Sequence, residues 1–399
     1  MSTRLEVPPV TRTLPARSLD LLVALGFYAL TRLWGAVVIH RAAADQQASI
    51  WTGPRSGYFD LAQLWDAQWY RIVAVQGYPP TLPVDASGAV QQNAWAFFPA
   101  FPYTVKAVMT VTGLPFSEAA VLTNLVLGAC AVVVLLTLLQ RVAGRGGGLG
   151  AVVLLCAAPS APVLQIAYSE TLFLLLFALA TLWLVERRYA AVAGVVLLLA
   201  LTRPVVAPFA VVILGHLIAR WWSRDTDPLP RSDTRRIVAL GLFTAASVLL
   251  WPAIVQVLTG EPDAYARIQG AWRTGGVLQA PFEQTLGITR LLWGDRGPWG
   301  LAIGAAVYVA VVLSPVGRSL GAELRTWCLA YPTYVLAVHE PWTSTYRYAL
   351  FLFPLFVLPG TVRRVGPLLV VVLAVVGMAY QVRWVDELLV FVPPTDFPP

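Results

Sequence analysis

Apolar residues along this chain form long, nearly uninterrupted runs, without the regular polar and apolar alternation of soluble helices and strands. Such runs include 19–40, 118–139 and 237–258, and shorter ones such as 205–219 follow the same pattern. A helix needs about 20 apolar residues to cross a bilayer, and shorter spans are tilted or broken. The pattern therefore predicts an all-α polytopic membrane protein with about 11 transmembrane helices.

The run 95–112 decides how these helices are oriented, because it contains two prolines and the only lysine, Lys106. If this run lies at the membrane surface instead of crossing, the arginine-rich turns that follow it fall on the cytoplasmic side, as the positive-inside rule requires. We therefore expect eleven spans in the plasma membrane, with a cytoplasmic N-terminus, containing Arg4, Arg12 and Arg17, and an external C-terminus.

This topology predicts one integral membrane domain, residues 1–399, with two long extracytoplasmic loops. The loops cover residues 41–117 and 259–298, and both are rich in Trp, Tyr, Pro and Gly. Aromatic residues at this level commonly form the interfacial belt of a membrane protein. The loops are also long enough to carry a functional site.

Composition agrees with a membrane protein and excludes several other classes. Of the 399 residues, 58% are hydrophobic and 12% charged, whereas soluble domains carry about 25% charged residues. An ordinary soluble enzyme, a disordered chain and a nucleic-acid-binding module are therefore excluded. The net charge of +7 is expected to orient the chain in the bilayer and not to bind nucleic acid. Cys130, Cys156 and Cys328 lie in apolar runs, so neither disulfides nor a structural zinc site is expected.

The first long loop contains the candidate chemistry. On a helix, Trp65, Trp69 and Ile72 share one face, which predicts an amphipathic helix lying on the membrane surface. Asp66 would lie beside that face, where partial loss of hydration favours protonation and suits a general base. Alternatively, Asp60 or Asp66 caps a helix or pairs with Arg71.

Five segments of the chain resemble, in order, the motifs of the GPI mannosyltransferase II (PIG-V type) family and its bacterial relatives. WDAQWYRIVAVQGY contains the WD and WY pairs of that family, and AFFPAFP resembles its FFPLYP segment. AYSETLFLLLFALATLWLVERR resembles its YSE helix, and YRYALFLFPLF its R-Y-x-L-x-x-FP element. LTRPV resembles its TRP-[VN]-G segment, except that Val206 stands where Gly is common.

The resemblance implies a GT-C-type membrane glycosyltransferase. Such an enzyme transfers a sugar, typically mannose, from a polyprenyl-phosphate donor to a hydroxyl of a membrane-associated acceptor at the extracytoplasmic face, with inversion. In that fold an acidic residue of the first outside loop is catalytic, and Asp66 matches the aspartate of the WD motif. The lipid bilayer, the donor and the acceptor are the expected partners.

The charged residues at predicted outside helix ends fit a phosphate-bearing lipid. Arg203 and Arg347 lie at such ends, and arginine suits phosphate because its guanidinium group donates two parallel hydrogen bonds. Snorkelling to lipid headgroups is the alternative for both. Glu170 would hold either arginine in place or cap its own helix. The other candidate donor- or substrate-binding residues are Asp60, Trp65, Trp69, Arg71, Phe97, Tyr168, His339 and Tyr348.

No cofactor is expected with certainty, and no tight metal site is predicted. Asp60 and Asp66 could contact a divalent cation, although two carboxylates make a weak cage. Two other functions stay open at this point. A polytopic transporter or lipid flippase would suit eleven spans, and a non-catalytic scaffold could share the same fold.

Overall fold

A computed structural model describes residues 14–49, 52–54, 56–273, 276 and 278–391. This part of the chain is all-helical, apart from an isolated antiparallel bridge between Val84 and Val90. Five of its helices are long and apolar enough to cross a membrane, and together they establish membrane-like helical character. They are Arg17–Ala44, Phe116–Ala157, Arg231–Thr259, Glu283–Leu313 and Gly366–Leu389. Arg4 and Arg12, expected in the cytoplasm, lie outside the described residues.

The α-helices are numbered in chain order, and short 3-10 segments join several of them. Their bounds are α1 Leu14–Ala44, α2 Tyr58–Leu61, α3 Asp66–Val75, α4 Ala100–Thr112, α5 Phe116–Ala157, α6 Glu170–Val185, α7 Tyr189–Ala200, α8 Ala207–Trp222, α9 Arg231–Ser247, α10 Leu250–Thr259, α11 Ala264–Ala271, α12 Glu283–Trp293, α13 Gly297–Leu313, α14 Gly321–Val338, α15 Thr345–Tyr348, α16 Val357–Thr361 and α17 Gly366–Trp384.

Helix α5 is an antiparallel hairpin with its tip at Gly144, where φ is 74° and ψ is 179°. The side chain of Asn124 in its first arm donates a hydrogen bond to the Tyr168 carbonyl, 2.9 Å away, just beyond its second arm. Near the tip, a Cβ atom added to Gly148 would lie 2.6 Å from the backbone nitrogen of Gln140. The two predicted runs 118–139 and 149–166 therefore lie side by side.

Contacts distant in sequence define one end of the bundle, which we call the Gly144 end. Asp20 of α1 accepts hydrogen bonds from Gln140 and Arg145 at the hairpin tip. Glu186, just after α6, pairs with Arg141 at 2.5 Å. Gly321 and Gly360 also lie against the hairpin tip.

The opposite end, which we call the Asp66 end, joins the loops to the helix ends through backbone hydrogen bonds. The Ala167 amide donates to the Ala62 carbonyl at 2.9 Å, and the Ala100 amide donates to the Leu201 carbonyl at the same distance. These bonds bring the first long loop onto the start of α6 and the end of α7.

Helix α6 lies at the centre of the molecule, because side chains on all of its faces are buried. Its Phe173 and Phe177 pack against Trp327 of α14, with the Phe177 and Trp327 rings 4.1 Å apart. The Trp327 indole donates a hydrogen bond to the Phe351 carbonyl at 2.7 Å, so the buried nitrogen is satisfied. This aromatic packing fixes the first residue of α6, Glu170, at the Asp66 end.

Gly144→Ala should destabilise the protein, because φ 74° with ψ 179° is a conformation that essentially only glycine adopts without strain. Apart from the adjoining backbone, nothing lies within 4 Å of the added Cβ atom, so the effect isolates backbone strain. We expect the free energy of unfolding to fall by about 1–3 kcal/mol, measured as a lower thermal unfolding midpoint in detergent. Gly194→Ala in α7 is the control, because it is helical and equally open, and it should unfold at or above the parent midpoint. Equal unfolding midpoints for the two variants would contradict the expected backbone strain of alanine at position 144.

Candidate functional site

A cavity of about 720 Å³ opens at the Asp66 end. Its walls come from both long loops and from the helix ends beside them, so they combine charged, aromatic and aliphatic side chains. They include Asp66, Tyr70, Phe97, Phe98, Arg203, Gln269, Trp272, Arg273, Ile288, Leu291, His339, Glu340, Trp342, Arg347 and Tyr348.

Four charged side chains from distant parts of the chain form a cluster at the cavity. Asp66 Oδ2 lies 2.6 Å from Arg347 Nη1, which lies 3.4 Å from Glu170 Oε1. The same Glu170 oxygen lies 2.7 Å from Arg203 Nη1. The Glu170 side chain is 0% exposed and that of Arg347 5%, whereas Asp66 is 26% exposed. Asp66 is therefore the carboxylate of this cluster that faces the cavity.

An unusual backbone conformation places Asp66 at the start of α3. Trp65, the residue before the helix, has φ 58° and ψ −123°, outside the regions that side-chain-bearing residues ordinarily adopt. Its indole nitrogen donates to the Leu389 carbonyl at 3.0 Å, and its ring meets that of Phe391 edge to face. These contacts hold Trp65 against the segment that follows α17 and leave Asp66 in the first turn of α3.

The predicted aromatic face of the first loop differs from the observed one. Trp65 precedes α3 and packs toward Phe391, while Trp69 stacks on Phe97 and meets Trp272 edge to face. The prediction that they share one helical face was therefore wrong, because α3 begins one residue after Trp65. Both tryptophans are partly buried against other parts of the protein. Trp69 stacks on Phe97, which lines the cavity.

Glu170 is held in place by the turn that precedes α6. The Asn124 side chain donates to the carbonyls of Ile166 and Tyr168 and so fixes this turn to the hairpin. Glu170 lies in the first turn of α6, where the helix dipole favours a carboxylate. Of the two roles expected for Glu170, the structure shows the one in which it pairs with the arginines.

Aromatic rings cover the two arginines of the cluster. The Tyr348 ring lies 5.4 Å from the Arg203 guanidinium carbon and 5.2 Å from that of Arg347. The Tyr168 ring lies 5.1 Å from Arg347 on another side, and Tyr168 is fully buried. Cation–π contacts of this kind partly replace the hydration that the arginines lose on burial.

His339 lines the cavity just after the end of α14. Burial, together with the nearby charges of Arg203, Arg273 and Arg347, lowers the pKa of His339 to about 3. Its imidazole is therefore neutral at physiological pH. A neutral ring exchanges hydrogen bonds with hydroxyl groups but carries no charge for a phosphate.

Six of the sequence-predicted residues do not line the cavity, namely Asp60, Trp65, Trp69, Arg71, Tyr168 and Glu170. Asp60 is exposed, and its Oδ2 accepts a 2.7 Å hydrogen bond from the Gly57 amide at the start of α2. Asp60 therefore has the capping role that the sequence left open. Arg71 is exposed on α3, and the partner of Asp66 is Arg347 instead of Arg71.

The described residues contain no group of three or more His, Cys, Asp or Glu side chains placed to hold a metal ion. Asp60 and Asp66, the two carboxylates considered for a divalent cation, have different partners. Asp60 binds a backbone amide at α2, whereas Asp66 pairs with Arg347.

Sequence reasoning missed several residues of the cavity, among them Tyr70, Trp272 and Arg273. Tyr70 follows Trp69 in the first loop, and its hydroxyl lies 2.8 Å from that of Ser169 beside Glu170. Trp272 and Arg273 come from the second loop, whose richness in aromatic residues was the only feature pointing there. Nothing in the local pattern around them indicates that this loop folds over the first.

Comparison with known proteins adds no family to this picture. No family model matches the chain, and a search of curated proteins also finds no match.

Glu170→Gln should destabilise the protein strongly, because Arg203, 12% exposed, would lose its carboxylate partner and Arg347, 5% exposed, would keep only Asp66. Removing one partner of a buried ion pair typically costs about 3–5 kcal/mol. Glu186→Gln is the matched control, because Glu186 is 25% exposed and pairs with an exposed arginine, and such pairs contribute about 1 kcal/mol or less. Thermal unfolding midpoints in detergent measure the stability of both variants. Similar midpoints for the two variants would show that the buried cluster is not needed for stability.

Proposed function

We propose that this protein is a membrane glycosyltransferase of the GT-C type. It transfers a sugar, mannose in the first instance, from a polyprenyl-phosphate donor to a hydroxyl of a membrane-associated acceptor. The observation that carries the proposal is the cavity in which the partly exposed Asp66 carboxylate faces a space walled by three arginines. A base beside cationic groups is what transfer from a phosphate leaving group requires.

The position of the cavity supports a donor that is itself a lipid. Ile288 and Leu291 of α12 line it, and Leu291 is 76% exposed on the outer surface of the molecule. Both belong to Glu283–Leu313, one of the helices apolar enough to cross a membrane. A polyprenyl chain could therefore lie in the bilayer against α12 while its phosphate and sugar enter the cavity.

The proposed reaction is a single displacement. The acceptor hydroxyl oxygen forms a bond to C1 of the sugar, and the bond between C1 and the phosphate oxygen breaks with its electron pair going to the phosphate. The hydroxyl proton goes to the Asp66 carboxylate. Attack opposite the leaving group inverts the configuration at C1, as the sequence resemblance also implies. His339, neutral at physiological pH, is suited to hold sugar hydroxyls.

Arg273 is the best placed cation for the donor phosphate. Arg203 and Arg347 are engaged with carboxylates, whereas the hydrogen bonds of Arg273 go to neutral acceptors, the Val338 carbonyl and the Gln284 side chain. Its charge thus remains available to an anion. Arg347 joins when the phosphate replaces Asp66 as its partner, which also releases Asp66 to accept the proton.

The order of contacts along the chain supports eleven crossings, and the positive-inside rule then puts the cavity on the extracytoplasmic side. The described chain alternates between the two ends of the bundle, and α4 adds no crossing, because Ala100 at its start and Asn124 in the next helix both contact residues at the Asp66 end. Successive landmarks at alternating ends are Asp20, Asp66, Gly144, Glu170, Glu186, Arg203, Asp233, Trp272, Gly321, His339, Gly360 and Leu389.

Asp66→Asn should abolish sugar transfer by the molecules that remain folded, and it should also lower the thermal unfolding midpoint, because Arg347 loses its closer carboxylate partner. Loss of a general base typically lowers the rate by about 10²–10⁴-fold. The measurement is transfer from labelled polyprenyl-phosphate-mannose to a membrane-lipid extract by the purified protein. Asp60→Asn is the control from the same loop and should keep parental transfer. Equal transfer by both variants removes Asp66 as the base, and absence of transfer by the parent from this donor rejects the proposed mannosyltransferase.

Arg273→Gln should raise the KM for the donor about tenfold or more and lower kcat less, because one charge-assisted hydrogen bond to the phosphate is lost. Arg273→Lys keeps the charge and should recover part of this loss. Arg71→Gln, an exposed arginine at the same end, serves as the control and should leave KM unchanged. An unchanged KM in Arg273→Gln would assign the phosphate to other groups.

A further inference from the structure

A second cavity, of about 700 Å³, lies at the Gly144 end between helices α7 and α9. It is far from the Asp66 cavity along both helices, because each helix begins at the Gly144 end. We propose that this cavity, which we call the α7–α9 groove, binds an anionic phospholipid of the adjacent leaflet. It would be a lipid site separate from that of the sugar donor.

Three arginines stand at the polar mouth of the groove. Arg187 and Arg188 immediately precede α7, and Arg236 lies in the second turn of α9. Their side chains are 45%, 58% and 68% exposed, respectively. Several exposed guanidinium groups around one concave mouth match a phosphate-bearing headgroup in charge and in hydrogen-bonding geometry.

The carboxylates near these arginines hold two of them loosely. Arg188 lies 3.8 Å from Glu186, and Arg236 lies 3.6 Å from Asp233. Exposed ion pairs of this length contribute little to stability, and an incoming phosphate can replace the carboxylates as partners of the arginines. Arg187 pairs closely with Asp227, so Arg188 and Arg236 are the two positions most open to a headgroup.

Beyond its mouth the groove is apolar, which selects a lipid over a water-soluble anion. Small side chains of α7 face Leu240 and Phe243 of α9 and leave room for an acyl chain. Phe243 is 38% exposed and Leu242 beside it 68%, and both lie in Arg231–Thr259, a candidate membrane span. A soluble phosphate would leave these walls uncovered, whereas a phospholipid covers them and places its phosphate at the arginines. The small residues are Ala190, Ala191 and Ala193.

The test is binding of phosphatidylglycerol and of phosphatidylcholine, with matched chains, to the purified full-length protein by native mass spectrometry. The parent should retain phosphatidylglycerol preferentially. The double variant Arg188→Gln with Arg236→Gln should lose about tenfold or more of that affinity. The control double variant, Arg363→Gln with Arg364→Gln, removes two exposed arginines at the same end that do not line the groove, and it should bind like the parent.

A second variant separates a lipid from a bare anion. Ala239→Trp fills the groove without changing any charge, and it should weaken phosphatidylglycerol binding as much as the arginine variant does. Inorganic phosphate should not compete with the lipid. Any of four results would overturn the proposal. The parent binds the two lipids equally, or the Arg363 and Arg364 control loses as much phosphatidylglycerol affinity as the Arg188 and Arg236 variant. Alternatively, Ala239→Trp binds phosphatidylglycerol like the parent, or inorganic phosphate competes with the lipid.

Discussion

The buried guanidinium group of Arg347 is the constraint on which the candidate site depends. Its side chain is 5% exposed and contacts carboxylates from two helices far apart in sequence, Asp66 of α3 and Glu170 of α6. A buried arginine without such partners is very costly. The first long loop, the start of α6 and the segment around Arg347 must therefore meet. The interactions that close this end of the bundle are the same ones that place opposite charges at the cavity.

Charge balance in this cluster explains how one ion pair can serve both stability and the proposed chemistry. Two carboxylates and two arginines neutralise each other in the resting protein. A phosphodiester donor carries one negative charge, so it can replace Asp66 at Arg347 without leaving that arginine unpaired. As the donor bond breaks, the phosphate gains negative charge while Asp66 becomes neutral by accepting the proton. Arg273, bonded to neutral acceptors, is positioned to compensate for that added charge.

Sequence patterns predicted the helical membrane character and several members of the site, and they failed where long-range packing decides. Apolar runs are sufficient to predict helices, and Asp66, Arg203 and Arg347, which the sequence analysis singled out beside such runs, line the cavity. The helix start at Asp66 was missed because Trp65 adopts a positive φ, which its contacts with Leu389 and Phe391 stabilise. Arg273 was missed because its place depends on the second loop folding over the first. No local periodicity encodes that contact.

Burial, more than charge, separates the roles of the arginines in this protein. Arg203 and Arg347 are at most 12% exposed, so each needs a fixed carboxylate partner and is confined to one geometry. Arg188 and Arg236 are more than half exposed and loosely paired, so they can exchange partners at little cost. Counting arginines per loop gives an orientation in the bilayer because every exposed cation contributes to it. It cannot find the proposed phosphate site of the donor, since that depends on which arginines lose water and which carboxylates they meet.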